Sequence, residues 1–299
     1  MSGFEDLVAR GVVAKDVPLG PHTTYKAGGP ARYFAVCHDL ASLQDLAATV
    51  DLADIPVLVL GRGSNLVVAD RGFPGLVIRL GSGFGAIAIA GSVITAGPAV
   101  SLPQLARVTV NAGRTGLEFF VGVPGSVGGA VRQNAGCFGH ETRDRLIEAT
   151  ILDLRHGSLS SRSPDDLDFG YRHSNLRPTD VVTGATFATE EGDVEAGLQE
   201  LRRITRWRRD HQPGGTFNAG SVFKNPTGTS AGELIDSLGL KGLKVGDVSV
   251  SKKHANFFVA GPEARSADIL ALVGMVKDRV FEETGTILEP EIQFVGFEE

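Results

Sequence analysis

The sequence predicts a strand-rich α+β protein on three observations. Short β-branched runs are broken by glycine turns, capped amphipathic stretches lie between them, and the glycines gather in turns without any repeat. The 39 glycines amount to about twice the usual share of roughly 7%. "ASLQDLAATVDLADIP" carries Leu43, Leu46 and Val50 at helical spacing, with Ser42 as the N-cap and Asp45 three residues on. "IPVLVLGRGSNLVVADRGFPGLVIRL" supplies three strands, and "FGAIAIAGSVITAGPAV" alternates as half-buried strands do. "SLPQLARVTVNAG" predicts a helix with Ser101 and Gln104 in a capping box and a stop at Gly113.

"EATILDLRHGSLSS" predicts a hairpin turning at His156 and Gly157, and "VVTGATFAT" another strand. "VEAGLQELRRITRWRRDHQP" places Val194, Leu198, Leu201 and Ile204 on one helical face and ends before Pro213. The remainder predicts a compact α+β module. "SAGELIDSLGLKG" is a short helix stopped at Gly239, "HANFFVAG" a strand, "SADILALVGMVKDRVFEETG" an amphipathic helix and "EIQFVGF" a closing strand.

A chain of 299 residues, 42% hydrophobic, is long enough for two or three subdomains that share cores. Its formal charge of -6 argues against nucleic acid as a partner, because phosphate backbones call for a net basic face. No apolar run approaches the roughly 20 residues that cross a bilayer, and Met1 to Lys15 has no secretory-leader pattern, so a cytoplasmic protein is expected. The two cysteines, Cys37 and Cys137, form no disulfide framework, and the 7 scattered histidines include no metal-binding pair.

Two glycine-rich loops stand out. In "LGRGSNLVVAD", Gly61, Arg62, Gly63, Ser64 and Asn65 follow an apolar run. Successive N–H groups there suit a phosphate, although an ordinary hairpin turn explains the same residues. Strand residues follow where a Rossmann fingerprint needs a helix. In "VGVPGSVGGAVRQNAG", Gly122, Pro124, Gly125, Ser126, Gly128 and Gly129 leave a surface nearly free of side chains, which Asn134 and Gly136 extend. Such a backbone can lie against a flat, polyanionic ligand.

The blocks "HTTYKAGGPARYF", "LGRGSNLVV", "GLEFFVGVPGSVGGAVRQNAGCFG", "FGYRHSNLR", "NAGSVFKNP", "AGELIDSLGLKG" and "LEPEIQFVG" together resemble the UDP-N-acetylenolpyruvoylglucosamine reductase family. These flavoenzymes complete UDP-N-acetylmuramate in bacterial peptidoglycan synthesis. The resemblance implies a vanillyl-alcohol-oxidase-like (PCMH-type) FAD-binding fold of two subdomains, residues 1–80 and 81–210, followed by a smaller α+β substrate-binding domain, residues 211–299. It implies non-covalent FAD along Gly61 to Asn65 and Gly122 to Gly129, NADPH as the hydride-donating co-substrate, and UDP-N-acetylglucosamine-enolpyruvate as the small-molecule substrate. No metal, membrane or nucleic-acid partner is implied, and a monomer is expected. The chain resembles the family's shorter form, which lacks a tyrosine-bearing insertion, so the diphosphate contact made by that tyrosine is unassigned.

Reduction of an enolpyruvyl double bond needs hydride at the methylene carbon and a proton at the carbon bearing the carboxylate. Hydride arrival builds an enolate beside an existing charge, which calls for a cation, a hydrogen-bond donor and an acid. By position in the family motifs, the resemblance assigns Ser221 as proton donor and Arg172 with Glu291 as enolate stabilisers. An ionised, unpaired glutamate would repel the enolate, so Glu291 is expected to be protonated or paired with Arg172. Tyr171, Lys224 and Asn225 are candidates for substrate binding. Arg209 is another, although its basic run equally suits a solvated helix end. The two rival readings are an alcohol or sugar oxidase on the same FAD scaffold, and a nucleotide-binding protein without turnover.

Overall fold

The computed structural model describes residues 3–50, 52 and 55–297. Its helices are α1 (Gly3–Ala9), α2 (Leu40–Thr49), α3 (Leu102–Asn111), α4 (Val127–Gln133), α5 (Val194–His211), α6 (Ala231–Ser237) and α7 (Ser266–Thr284). The chain divides into two compact units. The first comprises residues 1–15, 33–62 and 75–207, and the second residues 16–32, 63–74 and 208–299.

The first unit holds most of a four-stranded sheet, ordered Val13–Pro18, Pro30–Cys37, Phe73–Leu80 and Val57–Leu60. The last two strands run parallel, Val57 opposite Leu76 and Leu60 opposite Arg79. The apolar runs at residues 57–60 and 76–78 suit a parallel pair, which needs cover on both faces. A five-stranded antiparallel sheet follows, ordered Ser158–Arg162, Leu146–Asp153, Asp180–Ala188, Val93–Ala96 and Ile87–Ala90. The expected hairpin is present, with Asp153 opposite Ser158 and Gly157 at φ 64°. Ile94, Ile151, Val182 and Phe187 from this sheet pack with Leu102, Leu105 and Val110 of α3 and Leu201 of α5. Each buried Leu or Ile of that kind contributes about 1.5–3 kcal/mol.

Two expected caps differ. Helix α2 begins three residues earlier than Ser42 implies. Asp39 is the N-cap, its carboxylate accepting from Ser42 N–H at 2.8 Å while Ser42 Oγ accepts from Asp39 N–H at 3.1 Å. Aspartate offers the stronger charged acceptor, and Ser42 becomes its reciprocal partner. Of that quoted stretch, Asp51, Ala53 and Asp54 lie outside the described residues. In α3 the Ser101 side chain makes no capping bond. The Ser101 backbone also forms a β-bridge with Ser126, through Leu102 N–H to Gly125 O at 3.1 Å and Val127 N–H to Val100 O at 2.9 Å.

The second unit contains a sheet ordered Lys244–Val245, Val248–Val250 and Phe258–Ala260, and a parallel pair of Leu66–Val68 with Gln293–Val295. Helix α7 buries Ile269, Leu272, Val273, Val276 and Val280, the spacing of one helical face, and stops at Gly285 with φ 69°. Its first-turn donors are met from outside the helix, Ser266 and Ala267 N–H reaching the two Asp70 carboxylate oxygens at 2.9 and 3.0 Å. The strand expected over "HANFFVAG" covers only Phe258–Ala260. Its first part is a turn in which Phe257 N–H donates to His254 O at 3.0 Å.

Candidate active site

In the first unit the two glycine-rich loops meet. A Cβ built on Gly61 would lie 2.7 Å from Ser126 Oγ, and Ser126 is the N-cap of α4, accepting from Gly129 N–H at 3.4 Å. Gly122 closes the tight turn before this helix, Pro124 and Gly125 link the two, and Gly128 lies within α4. Some of these glycines are demanded by the protein itself. A Cβ on Gly136 would stand 2.0 Å from His140 O, whereas on Gly125 and Gly129 its nearest contacts are ordinary, at 3.4 and 3.5 Å. The bareness of those two positions leaves room that the unit's own packing does not fill.

Val127 and Gly128 N–H donate internally, to Val100 O at 2.9 Å and Pro98 O at 3.0 Å. By contrast, among the described residues no backbone N–H from Gly61 to Asn65 donates to a backbone carbonyl within its own unit. Backbone donors of a glycine-containing loop that make no such bond suit a diphosphate, and bare backbone at Gly125 and Gly129 suits a flat ring system. The residues present therefore fit FAD. Cys137 Sγ donates to Phe119 O at 3.1 Å.

Tyr171 and Arg172 form the tip of a tight turn closed by the Gly170–His173 bridge. Arg172 adopts φ 54°, a left-handed conformation uncommon for a side-chain-bearing residue. Its guanidinium donates to Gly136 O at 3.0 Å, faces Glu141 at 3.9 Å and stands over the Tyr171 ring at 4.9 Å. The turn is tied down by Asn134, which is fully buried and left-handed at φ 43°. Its amide donates to Gly170 O at 3.0 Å and Glu141 Oε2 at 2.8 Å, and its oxygen accepts from Arg143 N–H at 3.0 Å. With that side chain committed inside the protein, Asn134 acts on its surroundings through the loop it shapes.

In the second unit, Ser221, Lys224 and Asn225 lie on one irregular segment beside the chain that carries Glu291. Glu291 N–H donates to Val222 O at 2.7 Å and Lys224 N–H to Glu289 O at 2.9 Å. The Asn65 amide donates to Glu291 O at 3.0 Å, while Gln293 N–H returns a bond to Asn65 O at 2.9 Å. Asn65 thus fastens the backbone of Glu291. Gly63, at φ 61°, packs its Cα face against His22 O, where a Cβ would come to 2.2 Å. Ser64 is half-buried and Arg62 exposed.

Lys224 pairs with exposed Glu289 at 3.5 Å, a solvent-screened contact that a diphosphate can replace. Asn225 Oδ1 accepts from Ala231 N–H at 3.1 Å, which leaves its amide protons as donors. The Arg209 side chain is 73% exposed and pairs with neighbouring Asp210.

Sequence reasoning missed Glu141 and Asn256. Nothing local marks Glu141. Asn256, 3% exposed, is a lone amide inside the apolar run "HANFFVAG", and a polar residue so placed is the signature of a buried hydrogen-bonding group. A cleft of about 420 Å³ in the first unit, lined by Glu118, Phe138, Arg145, Glu200 and Arg203 among others, contains none of the expected residues. Two ion pairs are made there, Glu200 with Arg203 at 2.7 Å and Arg145 with Glu190 at 2.7 Å. Among the described residues there is no cluster of three metal-binding side chains, and no helix is long and apolar enough to cross a membrane.

An FAD binding domain family matches residues 31–161, and the C-terminal domain of UDP-N-acetylenolpyruvoylglucosamine reductase matches residues 212–295. The chain is 42% identical to the UDP-N-acetylenolpyruvoylglucosamine reductase of Azorhizobium caulinodans, across 96% of this chain and 92% of that protein. It is 43% identical to the one from Methylorubrum extorquens, across 97% and 93%. The crystal structure of the Thermus caldophilus reductase matches with a TM-score of 0.81 at 37% identity, covering 95% of this chain and 98% of that one. The fold is the expected vanillyl-alcohol-oxidase-like FAD-binding type with a further α+β domain. By sequence along nearly its whole length, and by structure, the chain belongs to the UDP-N-acetylenolpyruvoylglucosamine reductase family.

Proposed function

We infer that this protein reduces the enolpyruvyl ether of UDP-N-acetylglucosamine-enolpyruvate to UDP-N-acetylmuramate, using NADPH and FAD, in peptidoglycan precursor synthesis. The observation that carries this reading is the meeting of the two side-chain-poor loops at Gly61 and Ser126, in a chain related to these reductases over 96% of its length. Gly61, Arg62, Gly63, Ser64, Asn65, Gly122, Pro124, Gly125, Ser126, Gly128, Gly129, Asn134 and Gly136 are the proposed cofactor-binding positions. When bound, FAD supplies the hydride chemistry that links NADPH to the enolpyruvyl double bond.

The chain's own residues manage charge and proton. Hydride arriving at the methylene carbon pushes the double-bond electrons toward the carbon bearing the carboxylate, and enolate charge builds there. Arg172, preset by its left-handed backbone and its bond to Gly136 O, offers a planar guanidinium that suits a carboxylate. Ser221 gives its hydroxyl proton to the carbon bearing the carboxylate, completing a saturated lactyl ether, and regains a proton by relay from water. Glu291 takes part as the acid form or beside a cation, since a bare carboxylate would raise the barrier. Tyr171, Lys224, Asn225 and Arg209 are the proposed substrate contacts.

Residues 1–80, 81–210 and 211–299 are the proposed domains, and the working form is a cytoplasmic monomer with no nucleic-acid partner. Purified protein should be yellow, bleach with NADPH and regain its colour with the enolpyruvyl sugar nucleotide. Bleaching by simple alcohols or sugars in place of NADPH would favour an oxidase on the same scaffold, and colourless protein unable to take up FAD would overturn the reading.

A further inference from the structure

We propose that Asn256, which takes no part in the roles assigned above, is the positioning residue that fixes where the Ser221 hydroxyl stands during proton delivery. The inference rests on the proposed reduction and concerns how the acid is held. Among the described residues, the segment carrying Ser221 is joined to its neighbours by isolated bridges, Phe217 with Ala260, Ser221 with Phe257 and Phe223 with Pro290. No regular ladder sets its height. On its N-terminal side Gly220 is left-handed at φ 78°, and the nearest tie to another element is the Phe217–Ala260 bridge four residues away, so the height of Ser221 is set most closely by the residues that follow.

Those residues are held almost wholly by one side chain and its backbone. Val222 N–H donates to Asn256 O at 2.8 Å, Phe223 N–H donates to Asn256 Oδ1 at 2.9 Å, and Asn256 Nδ2 donates to Phe223 O at 2.8 Å. Val222 O, the remaining polar group of the pair, accepts from Glu291 N–H at 2.7 Å. The strip next to Ser221 is thus clamped between Asn256 and the backbone of Glu291. Its amide is oriented by both bonds to Phe223, because oxygen can only accept and nitrogen only donate.

Packing and positioning separate here. The Phe223 ring is fully buried and meets Phe258 edge-on at 6.0 Å, so the core still retains the segment when the amide is changed. What is lost is the fixed placement of the backbone that carries Ser221. A misplacement of about 1 Å can cost on the order of 100-fold in rate. It also uncovers stereochemistry. Protonation creates the lactyl stereocentre, and an acid held on one face gives one epimer, whereas a misplaced acid lets solvent protonate either face.

The test uses the full-length, FAD-loaded protein as Asn256→Asp and Asn256→Ala. Asn256→Asp keeps the acceptor for Phe223 N–H but sets a second oxygen against Phe223 O. Reduction by NADPH should stay within about twofold of wild type, and reoxidation by the enolpyruvyl sugar nucleotide should fall on the order of 100-fold. The product should become a mixture of lactyl epimers. Unchanged reoxidation, or equal loss of both half-reactions with a single epimer retained, overturns the proposal. Hydrogen exchange on the wild-type holoenzyme asks the question without a variant. The Phe223 amide should be strongly protected, and exchange at the rate of an exposed amide overturns the clamp. A wild-type protein that the sugar nucleotide cannot reoxidise would instead sink the functional reading, leaving the exchange result intact.

Discussion

Replacing Asn134 with alanine should destabilise the first unit more than almost any other single polar deletion there. The substitution leaves Arg143 N–H without its acceptor, removes a donor from the Glu141 carboxylate and leaves Gly170 O with only the bond from His173 N–H at 3.2 Å. Unsatisfied buried groups cost about 1–3 kcal/mol each, and bonds to charged groups are worth about 1.5–3 kcal/mol. Alanine must also hold φ 43°, which costs a further ~1 kcal/mol that asparagine largely avoids. Allowing for partial solvent rescue, the total is about 2–4 kcal/mol.

Glycine at the same position loses the same bonds but not the backbone preference, so Asn134→Gly should be about 1 kcal/mol better than Asn134→Ala. Trp207, the single tryptophan, lies edge-on to Phe138 at 5.2 Å and makes urea unfolding of this unit visible by fluorescence. With a slope of roughly 2–3 kcal/mol per molar, the Asn134→Ala midpoint should drop by about 1–2 M. An alanine variant within about 0.5 kcal/mol of wild type, or a glycine variant no better than alanine, would refute the account of this turn. Because Asn134 anchors Gly170, loss of the anchor should also loosen the Arg172 tip.

Burial alone would raise the Asp153 carboxyl, but hydrogen bonds from the His156 ring, Arg155 N–H and the Arg177 guanidinium outweigh it and hold the group at about 2. The folded value lies below the ordinary 3.8, so this contribution to stability is complete above that pH and is lost as pH falls toward about 2. Asp153→Asn should flatten acid unfolding across that window, and superimposable curves would count against the network. Gly61→Ala should push Ser126 Oγ off its capping position, costing about 1 kcal/mol and weakening FAD uptake on the order of tenfold. An unchanged fluorescence titration with FAD would show that the two loops do not act together. Ser221→Ala should leave reduction by NADPH intact and slow reoxidation by the enolpyruvyl substrate about 100- to 10,000-fold. If turnover survives largely unchanged, Ser221 is not the acid.

Local pattern alone determined the elements whose stabilising partners lie a few residues away. The face of α5, the face of α7 and the hairpin from Leu146 to Arg162 follow from spacing and turn chemistry, since helical neighbours and a short turn need no distant contact. The glycine-rich blocks and their order along the chain were sufficient to indicate the family. Only the tertiary structure decided what those blocks touch. The Asn65 amide finds Glu291 across 226 positions, and the Asn256 side chain replaces a strand for Phe223. Ser101 lacks its expected side-chain cap while its backbone bridges Ser126, and Arg172 takes a left-handed turn held through Asn134 and Gly136. A buried backbone donor or acceptor must be satisfied by whichever group the fold brings to it, and that choice is made by neighbours in space, which spacing along the chain does not encode.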